Sequence, residues 1–380
     1  MRFPEDVPVL ADDGVPALRL RAHTADDVDA AYEMCTDPEM QRWTGVPVPY
    51  ERHHAEEFLL DKIPAGWRDG GFWAWAIEYD GRFAGNLDLR GGDGNGGELG
   101  FATAPWARGQ GVMTRAVRLV LTHAFEKSGW DAVVWRAIAG NWASRRVAWQ
   151  TGFTGFTTVR AGAVTRGVRH DEWAASVRSG DELAPQGRWL TAPVLDGDGL
   201  RLRPMRDEDA DRVVEACADE RTQHWLAEMP SPYSREDALA WFATARENAA
   251  TGEGVNWVVA DPDSDELLGN VGVFRLNART GAEVGYWTHP AARGKGVMTA
   301  AVRLAVRHAF TPESEGGLGC RRLFLRAAAS NTASQHVARA AGFRQVGSPR
   351  AMDVRRDGTF DDVALFDLLH TDEAVVESAG

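Results

Sequence analysis

The chain has 380 residues, of which 44% are hydrophobic and 26% are charged, and its formal net charge is −13. This balance is that of an ordinary globular protein of two or three domains, which excludes a wholly disordered or fibrous chain. The acidic charge disfavours phosphate backbones, and the apolar runs are far shorter than about 18 residues. We therefore expect neither a nucleic-acid partner nor a membrane partner.

The amino-terminal segment MRFPEDVPVL carries acidic and proline residues where a secretory signal needs an apolar core, which predicts a cytoplasmic protein. The three cysteines, Cys35, Cys217 and Cys320, are widely spaced and form no CxxC pair. This spacing predicts reduced thiols and argues against a disulfide framework or a zinc site. No other ligand spacing typical of a metal site occurs, so we expect no metal.

The two halves of the chain repeat one another. Leu18-Arg19-Leu20-Arg21 returns as Leu200-Arg201-Leu202-Arg203, and RGQGVMTRAVRLVLTHAF (108–125) shares 13 of 18 positions with RGKGVMTAAVRLAVRHAF (293–310). A repeat of this length is a whole domain. We predict a first domain over residues 1–180, a polar linker over 181–192 and a second domain over 193–380.

Within one copy the patterns predict an α/β fold. LRLR reads as a strand and TADDVDAAYEMC as a helix, and two aromatic-rich strands flank the turn Asp80-Gly81. The segment ELGFAT (98–103) reads as a strand, and an amphipathic helix, a strand over 132–138, a helix over 141–150 and closing strands follow. Each domain should therefore hold a mixed, mostly antiparallel sheet flanked by helices.

The turn between ELGFAT and the amphipathic helix is the segment with the clearest chemistry. Its two glycines, Gly109 and Gly111, allow a tight turn whose N–H groups can meet an anion at the helix amino terminus. Arg108 and Arg293 are expected to add charge-assisted hydrogen bonds to a pyrophosphate. His123 and His308, on the following helices, are predicted to be surface residues.

These motifs resemble the GNAT superfamily of N-acetyltransferases, and in particular its RimJ/RimL-type branch. The resemblance rests on the glycine loop, the preceding E-x-G-[FY], Asn-x-x-Ser at a helix start, and Gly-Phe eleven residues past that Asn. It covers both copies nearly end to end. It implies two tandem GNAT-like domains with acetyl-CoA as cosubstrate.

The resemblance also implies which residues contact acetyl-CoA. In the first copy they are Phe101, Ala102, Thr103, Arg108, Gly109, Gln110, Gly111, Val112, Met113, Thr114 and Asn141. In the second copy they are Tyr286, Trp287, Thr288, Arg293, Gly294, Lys295, Gly296, Val297, Met298, Thr299 and Asn331.

Two departures from the family pattern bear on this assignment. Met113 and Met298 replace a small residue at the end of the loop, and each either crowds the phosphate or points into the core. Where many members carry a tyrosine that protonates the leaving thiolate, this chain has Ala148 and Ala338. The resemblance then implies Ser144 and Ser334 as the acids, and their alternative role is to cap or face the helix.

The base that takes the proton of the amine is predicted to be a carboxylate near the loop. Glu98 and Glu283, on the strand before the loop, are the candidates, and the alternative for each is a solvated or ion-paired glutamate. Asp171 and Asp362, in the closing strands, are the second choice by the resemblance.

The sequence therefore predicts an acetyl-CoA-dependent enzyme that moves an acetyl group directly to a primary amine, either of a small molecule or of a peptide or protein amino terminus. The alternative is that one domain is catalytic and the other binds CoA or substrate, or is structural. The first copy holds ten of the 15 tryptophans, and Trp73, Trp75, Trp142 and Trp149 are expected around its cleft. We expect a monomer or a weak homodimer.

Overall fold

A computed structural model describes residues 7–92 and 94–372. The chain divides into two compact units between Gln186 and Gly187, inside the predicted linker. Residues 1–6, which belong to the segment behind the cytoplasmic prediction, lie outside the described residues.

The first unit contains one eight-stranded sheet in the order β1-β2-β3-β4-β5-β6-β8-β7. Its strands are β1 (Leu10–Ala11), β2 (Leu18–Arg21), β3 (Phe72–Tyr79), β4 (Arg82–Gly91), β5 (Gly96–Thr103), β6 (Ala132–Ile138), β7 (Thr154–Thr165) and β8 (Val168–Arg178). Its helices are α1 (Val28–Thr36), α2 (Pro38–Trp43), α3 (Arg52–Glu56), a π-helical turn (Glu57–Lys62), α4 (Ile63–Asp69), α5 (Val112–Glu126) and α6 (Trp142–Gln150).

The second unit repeats this arrangement in the order β9-β10-β11-β12-β13-β14-β18-β15, with a small β16-β17 pair added. Its strands are β9 (Leu195–Gly197), β10 (Leu200–Arg203), β11 (Gly254–Ala260), β12 (Leu267–Asn277), β13 (Gly281–Thr288), β14 (Arg322–Ala328), β15 (Arg344–Gly347), β16 (Asp353–Val354), β17 (Phe360–Asp361) and β18 (Val363–Leu369). Its helices are α7 (Ala210–Ala218), α8 (Glu220–Trp225), α9 (Arg235–Ala250), α10 (Val297–Phe310) and α11 (Thr332–Ala340).

Both sheets are antiparallel except at one place, where β5 runs parallel to β6 and β13 runs parallel to β14. Helices α5 and α10 bury the apolar faces that the sequence predicts. Val117 and Leu121 are fully buried on α5, as are Val302 and Ala305 on α10. The predicted mixed, mostly antiparallel α/β fold with two tandem domains is confirmed.

The turn Asp80-Gly81 forms the predicted hairpin between β3 and β4. Both residues have positive φ, 50° and 73°, as a two-residue turn of the favoured hairpin type requires. The aromatic residues that precede this turn form the core of the first unit. Trp73 and Trp75 have no exposed surface and pack against Trp67, and Trp73 also stacks on Trp130.

Two predictions about side chains are wrong. Trp73 and Trp75 do not surround a cleft, because they fill the core. His123 and His308 are half-buried: His123 packs on Trp73 and Trp75, and His308 lies edge-on to Trp257. Desolvation lowers the pKa of both imidazoles, so they are neutral aromatic packing groups at physiological pH.

Candidate active site

The parallel strands of each domain separate beside the glycine loop. In the first domain β5 pairs with β6 only as far as Leu99 and Trp135. Beyond that pair β5 remains bonded to β4 up to Thr103. Within the part of the chain that the structure describes, residues 100–103 thus have no strand partner on the β6 side. An extended ligand with amide groups can add to such an open strand edge.

The second domain opens in the same way. Strands β13 and β14 pair at Ala282–Leu323 and Glu283–Phe324, after which β13 stays bonded to β12 up to Thr288. The opening therefore exposes the edge that includes Tyr286, Trp287 and Thr288. In the first domain it exposes the edge that includes Phe101, Ala102 and Thr103. These are the strand positions that the sequence analysis assigns to the cosubstrate.

Each open edge leads into a loop that has free backbone amides. Gly109 and Gly111 have φ of +74°, and Gly294 and Gly296 have φ of +73° and +75°. The first helical hydrogen bond of α5 is donated by the Arg115 N–H to the Gly111 carbonyl. The amides before it point out of the helix end, where the helix dipole favours an anion. Helix α10 begins in the same way.

The loop arginines do not point at this anion site. Arg108 Nη2 lies 2.5 Å from Asp37 Oδ1, and the Arg108 Nε–H donates to the Thr103 carbonyl at 3.2 Å. Arg293 makes the matching ion pair with Asp219. Both aspartates also accept the amide that begins the next helix, at Met40 and at Thr222. The arginines therefore brace the loop against a neighbouring helix, and the expected direct bond to pyrophosphate has no support in this geometry.

The methionines at the loop's end point into the core. Met113 and Met298 are 5% and 4% exposed and belong to the two main hydrophobic clusters. Neither side chain crowds the loop. Thr114 Oγ1 donates to Gln150 Oε1 at 2.7 Å, which ties the start of α5 to α6.

Asn141 and Asn331 are helix caps. The side-chain oxygen of each accepts the amide of the serine three residues on, Ser144 or Ser334, at 3.1 Å. This bond satisfies a helix-terminal N–H that has no partner inside the helix. The cap therefore fixes where each serine side chain lies.

The two serines have different partners. Ser144 Oγ accepts the indole N–H of Trp135 at 3.0 Å. Ser334 Oγ lies 3.1 Å from the phenolic oxygen of Tyr286, whose O–H also reaches the Ser334 carbonyl at 3.0 Å. Burial raises the pKa of Tyr286 to about 12, so the phenol is protonated at neutral pH. Because Phe101 stands where the second domain has Tyr286, only the second domain pairs a phenol with this serine among the described residues.

Tyr286 is among the cosubstrate contacts that the resemblance implies, but the position of its phenol beside Ser334 is not expected from the sequence. The one available signal is the difference between Phe101 and Tyr286 at equivalent positions of the repeat.

The predicted bases are held in ion pairs. Glu98 lies 3.2 Å from Arg90 and 3.4 Å from Arg136. Glu283 is 5% exposed and contacts Arg275 at 2.6 Å and Arg326 at 2.9 Å. Both glutamates thus match the ion-paired alternative. Each oxygen of each carboxylate therefore already faces an arginine.

Asp171 and Asp362 have a matching structural role. The Asp171 carboxylate accepts the Ala161 amide, and the Asp362 carboxylate accepts the Ala351 amide, both at 2.8 Å. Ala161 and Ala351 have φ of +53° and +51°, a strained conformation for alanine. Each aspartate therefore stabilises an irregular turn in the closing strands.

A cleft of ≈ 1720 Å³ joins these features in the second domain. Its lining includes Gly296, Tyr286, Ser334, Trp225 and Trp241. The loop, the hydroxyl pair and an aromatic wall therefore share one space. A cleft of this kind can take an extended cosubstrate and a second molecule.

A hairpin arginine secures the aromatic wall of that cleft. Arg355, which follows β16, lies over the Trp225 ring with its guanidinium carbon 4.5 Å from the centroid, and it is ion-paired with Asp361. The first domain has a related tie, in which Arg166 donates to the carbonyls of Gln41 and Thr44 beside α2.

The closing strands of the first domain surround a buried arginine. Arg145 is 4% exposed and lies among three rings, with its guanidinium carbon 4.7 Å from the Trp173 centroid, 4.9 Å from that of Phe156 and 5.3 Å from that of Trp142. Gln335 takes the equivalent place in the second domain and bonds to backbone carbonyls. The pockets of the two domains therefore differ beside the serine.

Residues 7–92 and 94–372 contain no group of three or more His, Cys, Asp or Glu side chains arranged to hold a metal ion. Of the helices in the same ranges, none has both the length and the apolar composition needed to cross a membrane.

The profile of the acetyltransferase (GNAT) domain matches residues 17–154 and again residues 199–344. A Bacillus subtilis protein described as a probable N-acetyltransferase, YjcK, is 26% identical over 185 residues, which is 47% of this chain and 99% of YjcK. An uncharacterized N-acetyltransferase of the same organism, YoaA, is 28% identical over 158 residues, which is 41% of this chain and 85% of YoaA.

Solved structures of single GNAT domains are similar to about half of the chain. The Mycobacterium smegmatis RimJ complex with CoA-disulfide has 20% identity and a TM-score of 0.43, and covers 50% of this chain and 92% of its own. A Bacillus anthracis GNAT-family acetyltransferase has 18% identity and a TM-score of 0.41, and covers 47% of this chain and 100% of its own. Because the GNAT profile matches both halves of the chain, the protein belongs to the GNAT family of N-acetyltransferases and carries two copies of its domain in tandem.

Proposed function

We propose that the protein transfers an acetyl group from acetyl-CoA directly to a primary amine of a small molecule or of a peptide or protein amino terminus. The observation that carries this proposal is the open strand edge that leads into a loop of free amides, present once in each domain. The amides suit the pyrophosphate, and the edge suits the amide-bearing arm of the cosubstrate. The names of YjcK and YoaA also point to N-acetyl transfer.

The reaction needs a neutral amine and a protonated leaving group. The amine nitrogen attacks the thioester carbon, the N–C bond forms, the C–S bond breaks, and the sulfur leaves as a thiolate. In the second domain the Tyr286–Ser334 hydroxyl pair gives one proton to that thiolate and regains one, through water, from the nitrogen that becomes the amide. The ion pairs of Glu283 favour proton loss from the amine through water over transfer to this carboxylate.

The amine class can be narrowed by its pKa. A lysine-type amine near pKa 10.4 lies about 2.6 units above an α-amine near 7.8, which is roughly 3.5 kcal/mol more deprotonation work. Because Glu283 is neutralised by its arginines, the second domain is better suited to a weak amine. An α-amine or an amino-sugar amine is our proposed acceptor there.

A second candidate function is favoured by one difference between the domains. Phe101 takes the place of Tyr286, and Ser144 Oγ is held by the Trp135 indole. This alternative assigns the first domain a non-catalytic role, in which it binds CoA or substrate for its twin.

The test uses the full chain with acetyl-CoA and a panel of amines, and it records free CoA thiol together with the acetylated product by mass. Gly111→Glu and Gly296→Glu each place a carboxylate where one pyrophosphate would bind, so each leaves one domain intact. We expect activity on α-amines that Gly296→Glu lowers more than Gly111→Glu does. A folded chain that binds acetyl-CoA and releases no thiol with any amine would overturn the proposal.

A further inference from the structure

The first domain has a buried carboxylate at the point where its parallel strands separate. Asp88 on β4 is the cross-strand partner of Gly100 on β5, the first residue beyond the last β5–β6 pair. A methyl group on Gly100 would meet Arg90 Nη2 and would lie 2.7 Å from each Asp88 carboxylate oxygen. The ion-paired side chains of Asp88 and Arg90 therefore cover Gly100, and the glycine leaves them the space.

This carboxylate keeps one oxygen free of protein donors. Asp88 is 8% exposed, and its Oδ1 accepts the Arg90 Nε–H at 2.9 Å. Its Oδ2 accepts no hydrogen bond from the described part of the chain. Burial raises the pKa of Asp88, the nearby Glu98 raises it further, and Arg90 opposes both. A raised pKa brings a carboxylate closer to that of an effective general base.

The second domain has nothing equivalent. Gly272 takes the place of Asp88, paired with Gly285, and Phe274 takes the place of Arg90. A methyl group on Gly285 would lie 2.8 Å from the Phe274 ring. An aromatic ring thus covers Gly285 in the second domain, whereas the Asp88–Arg90 pair covers Gly100 in the first, so the two positions offer different chemistry to an acceptor.

Resting on the proposed acetyl transfer, we propose that Asp88 binds the ammonium group of the acceptor and takes its proton, so that the first domain acetylates a cationic alkylamine. The arm of acetyl-CoA, laid along residues 103 to 100 from the loop, ends beside Gly100 and hence beside Asp88. A buried carboxylate with a free oxygen attracts a cation, and the net charge of −13 favours the encounter.

The ammonium gives one proton to Asp88, and the neutral nitrogen attacks the thioester carbon. The N–C bond forms, the C–S bond breaks and its electron pair leaves on sulfur. The second nitrogen proton passes through water to the thiolate, and Asp88 returns its proton to solvent. The products are the amide, CoA thiol and one released proton.

The experiment compares Asp88→Asn with the wild-type residue in a full-length chain that carries Gly296→Glu, so that only the first domain binds cosubstrate. The substrates are two peptides, one whose only amine is a lysine ε-amine and one whose only amine is the α-amine. We expect Asp88→Asn to lower kcat/KM at least about 100-fold for the ε-amine peptide. For the α-amine peptide the fall should be at least tenfold smaller, because an α-amine loses its proton more readily than an ε-amine. The Asp88→Glu variant should retain part of the preference for the ε-amine peptide.

Glu172→Gln is the matched control, because Glu172 pairs with Arg136 at 2.8 Å in the same domain. It should leave the ratio of the two substrates unchanged. Three results would each overturn the inference. They are an equal fall in kcat/KM for both peptides, no fall for either, and no acetylation of either peptide by the Gly296→Glu chain while the wild-type chain is active. A chain that acetylates no amine at all would instead refute the proposed function from which the inference starts.

Discussion

The phenolic oxygen of Tyr286 lies 3.1 Å from Ser334 Oγ, although the two residues are on a strand and a helix 48 positions apart. The contact exists because the Asn331 side chain caps α11 and so fixes Ser334 against β13. The repeat unit of the first domain has the capped serine and lacks the phenol. The hydroxyl pair is thus one chemical difference between the two sites.

Tyr286→Phe is predicted to lower kcat of the second domain about 100-fold, because proton transfer to a leaving group contributes 10²–10⁴-fold. KM for acetyl-CoA should change little, since the ring remains in place. The measurement is steady-state thiol release in a chain that carries Gly111→Glu. An unchanged kcat in a folded variant would show that Tyr286 protonates nothing.

The pKa of Tyr286 also predicts how kcat depends on pH. The pKa of Tyr286 is raised to about 12 by burial, so the proton stays bound through neutral and mildly alkaline pH. The contribution of the Tyr286 phenol to the free energy of unfolding is complete below about pH 10, the unfolded-state pKa of tyrosine. This contribution is lost as the pH rises through about 12. A profile of kcat between pH 7 and 9.5 should show no decline due to this group. A decline in that range that Tyr286→Phe abolishes would contradict the burial argument.

The loop glycines are predicted to be required for their backbone conformation. Gly111→Ala and Gly296→Ala force alanine to φ of +74° and +75°, at a cost of about 1–2 kcal/mol. Calorimetry should show the affinity of one acetyl-CoA site weakened at least about tenfold in each variant.

Gly129→Ala is the control for these loop variants. Its φ is +70°, and like the loop glycines it has open space where the methyl group would go, but it lies outside the loop. It should lose similar stability and keep both acetyl-CoA affinities. Equal binding by all three variants would remove the loop from the proposed site.

Arg293 and Asp219 are predicted to act as a pair that braces the loop. Each single change, Arg293→Ala or Asp219→Asn, should lower the free energy of unfolding by about 1–2 kcal/mol, and the double variant should lose less than the sum. A double-mutant cycle from urea unfolding measures the coupling. Full additivity would mean that the pair contributes nothing.

This pair also responds to acid. The hydrogen bond from Arg293 is the main cause that holds the pKa of Asp219 below its usual value. A lowered pKa stabilises the fold above the unfolded-state value near 3.9, and this contribution is lost as the pH falls through the folded-state value. Asp219→Asn should therefore reduce the loss of stability below about pH 4. If the variant and the wild-type chain lose stability in parallel, the ion pair is not the cause.

Glu283→Gln is predicted to reduce stability more than chemistry. Glu283 is 5% exposed, its partners Arg275 and Arg326 are 63% and 37% exposed, and loss of a charged hydrogen-bond partner at such a site costs about 1–3 kcal/mol. Thermal unfolding should register this loss. In conditions where the variant is folded, the pH profile of kcat/KM should keep the shape of the wild-type profile. If the variant profile lacked the fall in kcat/KM at acidic pH, Glu283 would again be the candidate base.

The repeat, the strands and the loop are visible in the sequence because each depends on local signals. Asp80-Gly81 sets a hairpin, and Gly109 and Gly111 set a turn before an amphipathic helix. Contacts between distant segments leave no such signal. Arg108 meets Asp37, 71 positions away, and nothing in the loop distinguishes that partner from a pyrophosphate. For the same reason Trp73 and Trp75 could not be assigned to the core in advance.

Asp88 is the residue whose position is hardest to predict from the sequence. Its sequence neighbours describe an ordinary strand, and its position over Gly100 follows only from the register of β4 with β5. Once the register is known, the glycine opposite a buried carboxylate is informative. A comparison of the two copies at equivalent positions, with Gly272 and Phe274 in place of Asp88 and Arg90, then separates the chemistry of the two sites.

The most direct test of the central claim is the stoichiometry of acetyl-CoA binding by titration calorimetry on the full chain. Both domains have an open strand edge and a loop of free amides, so two equivalents are predicted, with Gly111→Glu and Gly296→Glu each removing one. A chain that binds no acetyl-CoA while it is folded would contradict the account.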